Sequence, residues 1–146
     1  MRGYSQLRLG RQSIENQVYL LTFTTHMRVE YFAKWENAKL LSQCIESESI
    51  FKRSNILCWV VMPDHVHILM QLGNSDTTSN YIRRLKAGVK RQLPINDQLW
   101  AKGFHDRAIR KESDLLPAAR YIVANPLRAG LVKSVKDYPF WNSVWL

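Results

Sequence analysis

Two apolar runs of strand length, separated by a turn signal, constrain the fold of this chain more than any other feature of its sequence. The runs occupy residues 55–62 and 65–72, and Pro63 and Asp64 lie between them. Proline and aspartate favour tight turns, and apolar runs this short suit strands better than helices. The pattern predicts a β-hairpin in the middle of the 146-residue chain.

The segments on either side of the hairpin alternate between strand and helix patterns. Residues 17–25 are rich in β-branched and aromatic side chains, which favour a strand, whereas 32–52 contains no glycine or proline and repeats its apolar residues at helical spacing. Beyond the hairpin, 78–93 again shows helical spacing, and 100–110 predicts a further strand. The order strand, helix, strand, strand, helix, strand predicts an α+β domain with the antiparallel, ferredoxin-like split βαβ sheet.

A last helix is predicted after this sheet, because the apolar residues of the next segment return to helical spacing. Pro117 is tolerated only in the first turn of a helix, so this helix should begin within 113–117, and Pro126 limits its far end. The tail carries Trp141 and Trp145, which we expect to cover part of the core.

The charge balance points to a polyanionic partner. Lys and Arg number 21 against 12 Asp and Glu, a formal charge of +9, while 46% of the residues are hydrophobic. That hydrophobic share predicts a folded core and excludes a disordered or collagen-like chain. We therefore expect a single domain over 1–146, with a polar, basic N-terminal arm at 1–15, that binds nucleic acid or an anionic surface.

The sequence gives no signal for a membrane or for export. No run approaches about 18 apolar residues, and the N-terminal residues lack the apolar stretch of a signal peptide. The two cysteines, Cys44 and Cys58, make neither a disulfide framework nor a Cys-x-x-Cys motif. These observations predict a protein of the reducing cytoplasm.

His65 and His67 carry the clearest chemical signal. Residues two apart in a strand point to the same face, so the two imidazoles should lie side by side while Val66 and Ile68 face the core. Two adjacent imidazoles can bind one metal ion. The same pattern also fits two half-buried histidines that bond to polar partners.

Tyr121 and Asn125 lie on one line of the last predicted helix, because they are four residues apart. That line is about 100° from the apolar stripe, which places Tyr121 at the edge of the buried face. A phenol there can simply pack against the core. Beside a metal held by two histidines, its oxygen could instead attack a phosphodiester, and Asn125 could supply a third, oxygen ligand.

Three segments carry a family resemblance. Residues 62–69, MPDHVHIL, resemble the His-hydrophobic-His motif of the HUH single-strand nucleases. Residues 119–132, ARYIVANPLRAGLV, resemble the tyrosine helix of the single-tyrosine transposases in that superfamily, especially the REP-associated tyrosine transposases. Residues 100–110 resemble the segment that precedes the tyrosine helix in that subgroup, so the resemblance covers most of 17–132.

The resemblance implies a ferredoxin-like domain that recognises single-stranded DNA with a foldback hairpin and cleaves beside it. Residue by residue, it makes Tyr121 the nucleophile of a covalent 5′-phosphotyrosine, and His65, His67 and Asn125 the metal ligands. The implied ion is Mg²⁺ or Mn²⁺, because a phosphate site is rich in oxygen and neither thiolates nor a third histidine favour zinc here. The position of Asn125 is less fixed than those of the histidines, since a residue before proline is disfavoured in helical geometry.

Basic side chains are the predicted DNA contacts, although such residues also form ordinary solvated faces. Arg8 and Arg11 of the arm could follow a DNA strand. His105 and Asp106 could orient the leaving DNA strand or the metal ligands, or simply make structural hydrogen bonds. The predicted DNA contacts on the helix at 78–93 are Arg83, Arg84, Lys86, Lys90 and Arg91.

Two other functions fit the same residues. A basic ferredoxin-like sheet can bind single-stranded nucleic acid by stacking and charge alone, without any chemistry. A metal site can also activate water, which would make the chain a phosphodiesterase and leave Tyr121 structural. The sequence leaves both a monomer and a homodimer open.

Overall fold

A five-stranded antiparallel sheet forms the centre of the protein. The computed structural model describes residues 16–51 and 54–146. The strands are β1 Val18–Thr24, β2 Asn55–Val61, β3 His65–Gln71, β4 His105–Ile109 and β5 Trp141–Ser143, and their order across the sheet is β4-β1-β3-β2-β5. The α-helices in the described residues are α1 Trp35–Phe51, α2 Thr78–Gln92, α3 Leu115–Val123 and α4 Asn125–Arg128.

The α+β class and the antiparallel sheet predicted from the sequence are confirmed, and the elements follow the predicted order from β1 to β4. The first helix starts later than predicted, at Trp35, because Tyr31–Ala33 form a 3₁₀ turn. In that turn the Phe32 N–H donates to the Pro63 carbonyl at 3.0 Å. This hydrogen bond joins the start of the helical segment to the hairpin turn.

The fourth strand is shorter than predicted and begins at His105. The chain before it makes only an isolated bridge to the sheet, between Trp100 and Thr25. Gly103 follows with a φ of +77°, a left-handed conformation that glycine adopts without strain. The turn at this glycine interrupts the strand predicted over 100–110, so only the residues after the turn form β4.

The C-terminal tail contributes β5, which the sequence analysis did not predict. Trp141 pairs with Val60 on β2 and packs against the core between the sheet and α3, whereas Trp145 is 38% exposed. Three residues give too short an alternation of apolar and polar side chains to identify a strand. Of the two tryptophans, Trp141 is the one that covers the core as expected.

Helices cover both faces of the sheet. α1 and α2 pack on one face, where β3 places Val66 and Ile68. α3 packs on the other face over a second core that includes Leu69 and Ile122, both fully buried. Side chains alternate along a strand, so His67 points to the same face as Leu69. The face covered by α3 is therefore the face that carries the histidines.

The tyrosine helix forms where the prolines predicted it. α3 carries Pro117 in its first turn and ends at Val123, and α4 follows with Pro126 near its start. Ala124 between them keeps a helical conformation, with φ −80° and ψ −4°. The chain thus continues helically through the junction. None of the helices in 16–51 and 54–146 is both long and apolar enough to cross a membrane.

We expect Leu69→Ala to lower the free energy of unfolding by about 2–5 kcal/mol, the usual cost of removing a large aliphatic side chain from a tight core. Leu69 is 0% exposed in the core under α3. Urea unfolding followed by circular dichroism measures the change. Leu127→Ala, at an exposed position of α4, is the control and should change stability by less than about 0.5 kcal/mol. Equal effects of the two substitutions would contradict this packing.

Candidate active site

The structure brings His65 and His67 together on the face of the sheet that α3 covers. Their ring centroids are 5.0 Å apart and their planes are inclined by 84°. Both side chains are half-buried. The adjacency follows directly from the two-residue repeat of β3.

Each histidine has its Nδ1 atom engaged by a neighbouring side chain. His65 Nδ1–H donates to Asp64 Oδ1 at 2.7 Å, and His67 Nδ1 shares a hydrogen bond of 2.9 Å with Thr22 Oγ1. Thr22 lies directly across from His67 in the β1–β3 register. Such contacts fix the orientation of an imidazole and leave Nε2 as the atom that can bind a metal.

The electrostatics of the pair favour a neutral imidazole at His67. Burial lowers the pKa of His67 to about 4, and the positive charges of His65 and Arg128 act in the same direction. At neutral pH the ring is therefore uncharged. A neutral imidazole is the form that coordinates metal ions.

Asp64 accepts hydrogen bonds on both of its carboxylate oxygens. Arg28 Nε donates to its Oδ2 at 2.9 Å, while His65 occupies Oδ1. Burial pushes the pKa of Asp64 upward, but the hydrogen bonds from Arg28 and His65 outweigh that effect and leave the pKa below its ordinary value. The carboxylate that orients His65 is therefore ionised at neutral pH.

Tyr121 faces the histidines from α3. Its ring centroid is 6.1 Å from that of His67, with the planes inclined by 74°. The side chain is 52% exposed, although its neighbours Ala119 and Ile122 are buried in the core under the helix. The edge position predicted from helical spacing thus places a solvent-accessible phenol beside the histidine pair.

Asn125 follows Tyr121 by one turn, because Ala124 between α3 and α4 is helical. Its side-chain Nδ2 is buried and has no hydrogen-bond partner among the described residues. A buried amide with an unpaired polar atom fits a ligand position, since a half-turn of the amide would present its oxygen there instead. Asn125 is helical although it directly precedes Pro126, a position at which helical geometry is disfavoured.

These donors fit the divalent cation that the sequence suggests. The two Nε2 atoms and the Asn125 amide are the kinds of atoms that bind Mg²⁺ or Mn²⁺ together with phosphate and water oxygens. Within 16–51 and 54–146 no cluster of three or more His, Cys, Asp or Glu side chains occurs that could hold a metal. Asn125 and oxygens from a substrate would therefore have to complete the coordination.

A cleft of about 840 Å³ opens beside the pair, between β1, β4 and the first turns of α3. His67 and Tyr121 both line it, and Leu20 and Ala118 give it an apolar part. Three cations line it against one carboxylate, so phosphate groups would be attracted to it. The charged lining residues are Arg107, Arg110, Lys111 and Asp114.

Sequence reasoning missed these cations, although a signal for Arg107 was present. Arg107 alternates with Ile109 in β4, and Ile109 lies in the core under α3. The period of a strand therefore places Arg107 on the α3 face. The strand pattern does not show which face of the sheet α3 covers, so it could not assign Arg107 to the cleft.

The predicted DNA contacts of α2 lie on the opposite face of the sheet from Tyr121. Most of them have partners within the chain. Arg84 makes a two-point ion pair with Asp76, and Lys86 donates to the carbonyls of Ala101 and Gly103 at 3.0 and 2.7 Å. Lys90 donates to the carbonyls of Ile95 and Asp97, and Arg83 donates to Asn80 Oδ1 at 2.7 Å.

Lys86 and Lys90 therefore stabilise the segment between α2 and β4 through these hydrogen bonds. Arg83 and Arg91 remain exposed on the helix surface. A role for this helix in DNA binding stays a prediction, and it concerns a surface remote from the histidine pair. Arg8 and Arg11 lie outside the described residues.

His105 and Asp106 point to opposite faces of β4. His105 pairs with Thr22, which pairs with His67, so His105 is on the histidine face but two strands away. Neighbouring strands are about 4.8 Å apart, which puts roughly 10 Å between His105 and His67. Asp106 pairs with Leu21 and faces the α1 and α2 side. The prediction that Asp106 orients the metal ligands is therefore wrong, since the sheet lies between its side chain and the two histidines.

Comparisons with known proteins identify the family of the chain. A REP-associated tyrosine transposase of Escherichia coli is 34% identical over 87 residues, which cover 58% of this chain and 52% of that protein. A Haemophilus influenzae protein assigned to the same group is 37% identical over 94 residues, covering 55% of this chain and 53% of that protein. The chain thus spans about half the length of these relatives.

A solved structure extends the similarity to most of the fold. It is a REP-associated tyrosine transposase bound to a REP hairpin, with a TM-score of 0.77 and 26% identity, covering 90% of this chain and 79% of that one. The model of the IS200-like transposase family matches residues 13–125, which include the histidine pair, Tyr121 and Asn125. The resemblance inferred from the motifs is confirmed, and the chain belongs to the IS200-like transposase family.

Proposed function

We propose that the chain is a metal-dependent endonuclease and strand transferase that cleaves single-stranded DNA beside a hairpin. The observation that supports this most is the position of the Tyr121 ring against His67, where both line a basic cleft. The phenol is accessible to a DNA strand, and the cleft offers cations to its phosphates. Because a solved relative is described as bound to a REP hairpin, we propose hairpin-forming palindromic DNA as the substrate.

Three residues would hold the cation. His65 and His67 would bind Mg²⁺ or Mn²⁺ through Nε2, and Asn125 through its amide oxygen. When bound, the cation would polarise a phosphate oxygen and offset the negative charge that develops in the transition state. Asp64 and Thr22 would keep the two imidazoles in the required orientation through their hydrogen bonds to Nδ1.

Tyr121 would supply the nucleophile. Its oxygen forms a bond to the phosphorus while the bond from phosphorus to the 3′-oxygen breaks. The downstream strand then carries a 5′-phosphotyrosine, and the upstream strand leaves with a free 3′-hydroxyl. The phenol loses its proton to solvent and the leaving oxygen gains one, so the charges balance. Attack by a 3′-hydroxyl on the phosphotyrosine reverses these bond changes and joins a new strand without a nucleotide cofactor.

The test is a search for a covalent adduct with end-labelled DNA. The full chain is incubated with Mn²⁺ and a single-stranded oligonucleotide that folds into a hairpin with unpaired flanks. Two versions carry a fluorophore at the 5′ or the 3′ end. We expect a denaturation-resistant adduct that contains the 3′ label, a released 5′-labelled product, and no reaction in EDTA.

Each competing function gives a different pattern in the same gel. Free 5′-phosphate ends without an adduct would indicate hydrolysis by activated water. Binding that is insensitive to EDTA and yields no product would indicate a binding module. An adduct that contains only the 5′ label would contradict the proposed polarity of the phosphotyrosine.

We expect Asp64→Asn to weaken Mn²⁺ binding by about 10–100-fold, the usual effect of losing a partner that orients a metal ligand. The amide keeps the shape of the side chain but lacks the negative charge that strengthens the hydrogen bond from His65 Nδ1–H. Isothermal titration calorimetry measures the affinity. Asp114→Asn removes the same charge from the cleft lining and is the matched control. A similar loss in both variants would show a general effect of charge instead of orientation.

We expect Arg107→Gln to reduce the salt dependence of binding to single-stranded DNA. Loss of one phosphate contact should change the slope of log K against log salt concentration by about 0.7. Fluorescence anisotropy over a range of salt concentrations measures the slope. Arg83→Gln removes the same charge from α2 on the opposite face of the sheet, and it should leave the slope unchanged if the strand binds in the cleft alone. The reverse result would place the strand on α2.

A further inference from the structure

Arg128 contacts Tyr121 in two ways. Its guanidinium carbon lies 4.0 Å from the centroid of the Tyr121 ring, and its Nη2 donates to the Tyr121 carbonyl oxygen at 2.9 Å. The two residues are seven positions apart, which is about two helical turns. One hydrogen bond therefore anchors the guanidinium to the same residue whose ring it covers.

The Tyr121 ring has little else to hold it. The side chain is 52% exposed, so core packing does not restrict its rotation about χ1 and χ2 as it does for buried aromatic residues. The His67 ring contacts it edge-on at a centroid distance of 6.1 Å. Arg128 covers its face at the shorter distance of 4.0 Å.

The junction between α3 and α4 makes this contact possible. Ala124 keeps the helical conformation, so α4 brings Arg128 back toward Tyr121 after two turns. Arg128 is itself exposed, and its guanidinium donates a hydrogen bond to the Tyr121 carbonyl. Its contacts are thus directed to the tyrosine and not to the core.

We infer that Arg128 is a positioning residue that holds the ring of Tyr121 in the orientation needed for attack on a phosphodiester. The inference rests on the proposed function, because it concerns the nucleophile of that reaction. A guanidinium is planar and can stack on an aromatic face, whereas a lysine ammonium is a point charge on a flexible stem. The planar group, and not the positive charge alone, is what the geometry uses.

The ring orientation can be measured without metal or DNA. The full chain is labelled with ¹³C-tyrosine, and Tyr121→Phe assigns the Tyr121 ring signals in the NMR spectrum. We expect Arg128→Gln to move these signals toward the position of a freely exposed tyrosine. Arg120→Gln removes the same charge from the adjacent position on α3. Arg120 lines a separate groove with Val123 and Trp145, so this variant should leave the signals in place. Unchanged signals in Arg128→Gln would overturn the inference.

The effect on the reaction is measured as the single-turnover rate of adduct formation at saturating DNA. We expect Arg128→Gln to slow it by about 5- to 30-fold, which corresponds to the loss of one cation–π contact. The Kd for the oligonucleotide should change by less than about threefold, and Arg120→Gln should react at the normal rate. Arg128→Lys should be nearly as slow as Arg128→Gln, because it restores the charge but not the planar group.

The outcomes separate this inference from the proposed function. An adduct that forms as fast in Arg128→Gln as in the natural chain overturns the positioning role and leaves the proposed function intact. Full rescue by Arg128→Lys also overturns it, since charge alone would then suffice. Failure of the natural chain to form any adduct overturns the proposed function and the inference together.

Discussion

Tyr121→Phe should abolish the covalent adduct with single-stranded DNA, a loss of at least about a thousandfold, while the fold and the DNA affinity remain. The substitution removes only the phenol oxygen, which is the atom proposed to bond to phosphorus. A reaction that loses its nucleophile loses the covalent route altogether. The side chain is half-exposed, so the effect on stability should be within about 0.5 kcal/mol.

The ring that remains keeps its other contacts. Phenylalanine can still stack under Arg128 and against His67, so the shape of the site is retained. Denaturing gels measure the adduct, and peptide mapping by mass spectrometry identifies the tyrosine that carries it. Tyr31→Phe is the matched control at a site outside the cleft, and it should leave the adduct unchanged. An undiminished adduct in Tyr121→Phe would refute the assignment of the nucleophile.

Removing either histidine should reduce adduct formation nearly as much. We expect His65→Ala and His67→Ala to weaken Mn²⁺ binding by at least about a hundredfold, because each removes a proposed ligand and not merely an orienting partner. Adduct formation should fall below detection at Mn²⁺ concentrations that saturate the natural chain. The thermal stabilisation that Mn²⁺ gives by binding to the folded state should disappear as well.

Two measurements distinguish loss of the metal site from loss of the fold. The melting temperature of each variant in EDTA reports folding without metal, and DNA binding in EDTA reports the intact surface. His105→Ala is the matched control, since His105 is an exposed histidine on the same face but two strands from His67. Normal Mn²⁺ affinity in both His65→Ala and His67→Ala would rule out a metal site on β3.

The sequence predicted the parts of the site that depend on local geometry. Strand period alone places His65 and His67 on one side of β3, and helical spacing places Asn125 one turn after Tyr121. Pro117 and Pro126 bound the tyrosine helix because a proline ring limits where a helix can begin or continue. These relations hold within a few residues, so no knowledge of packing is needed.

Other features depended on contacts between distant segments. The register of β1 against β3 brings Thr22 to His67, and the turn after β1 brings Arg28 to Asp64. The two faces of the sheet look alike in an apolar strand, so the sequence alone could not show that α2 and α3 cover opposite sides. The basic α2 was assigned to DNA binding from its composition, which is equally satisfied by the carbonyl contacts that Lys86 makes.

The sequence by itself determined the hairpin, the paired histidines, the tyrosine helix and the positive charge of this protein, because each follows from local periodicity or from composition. Tertiary structure decided that α3 packs on the histidine face, that Arg107 lines the cleft there, and that Arg128 covers the Tyr121 ring. Such choices depend on strand register and on which face of the sheet a helix buries. Those are set by the fit of whole surfaces, which no local pattern contains.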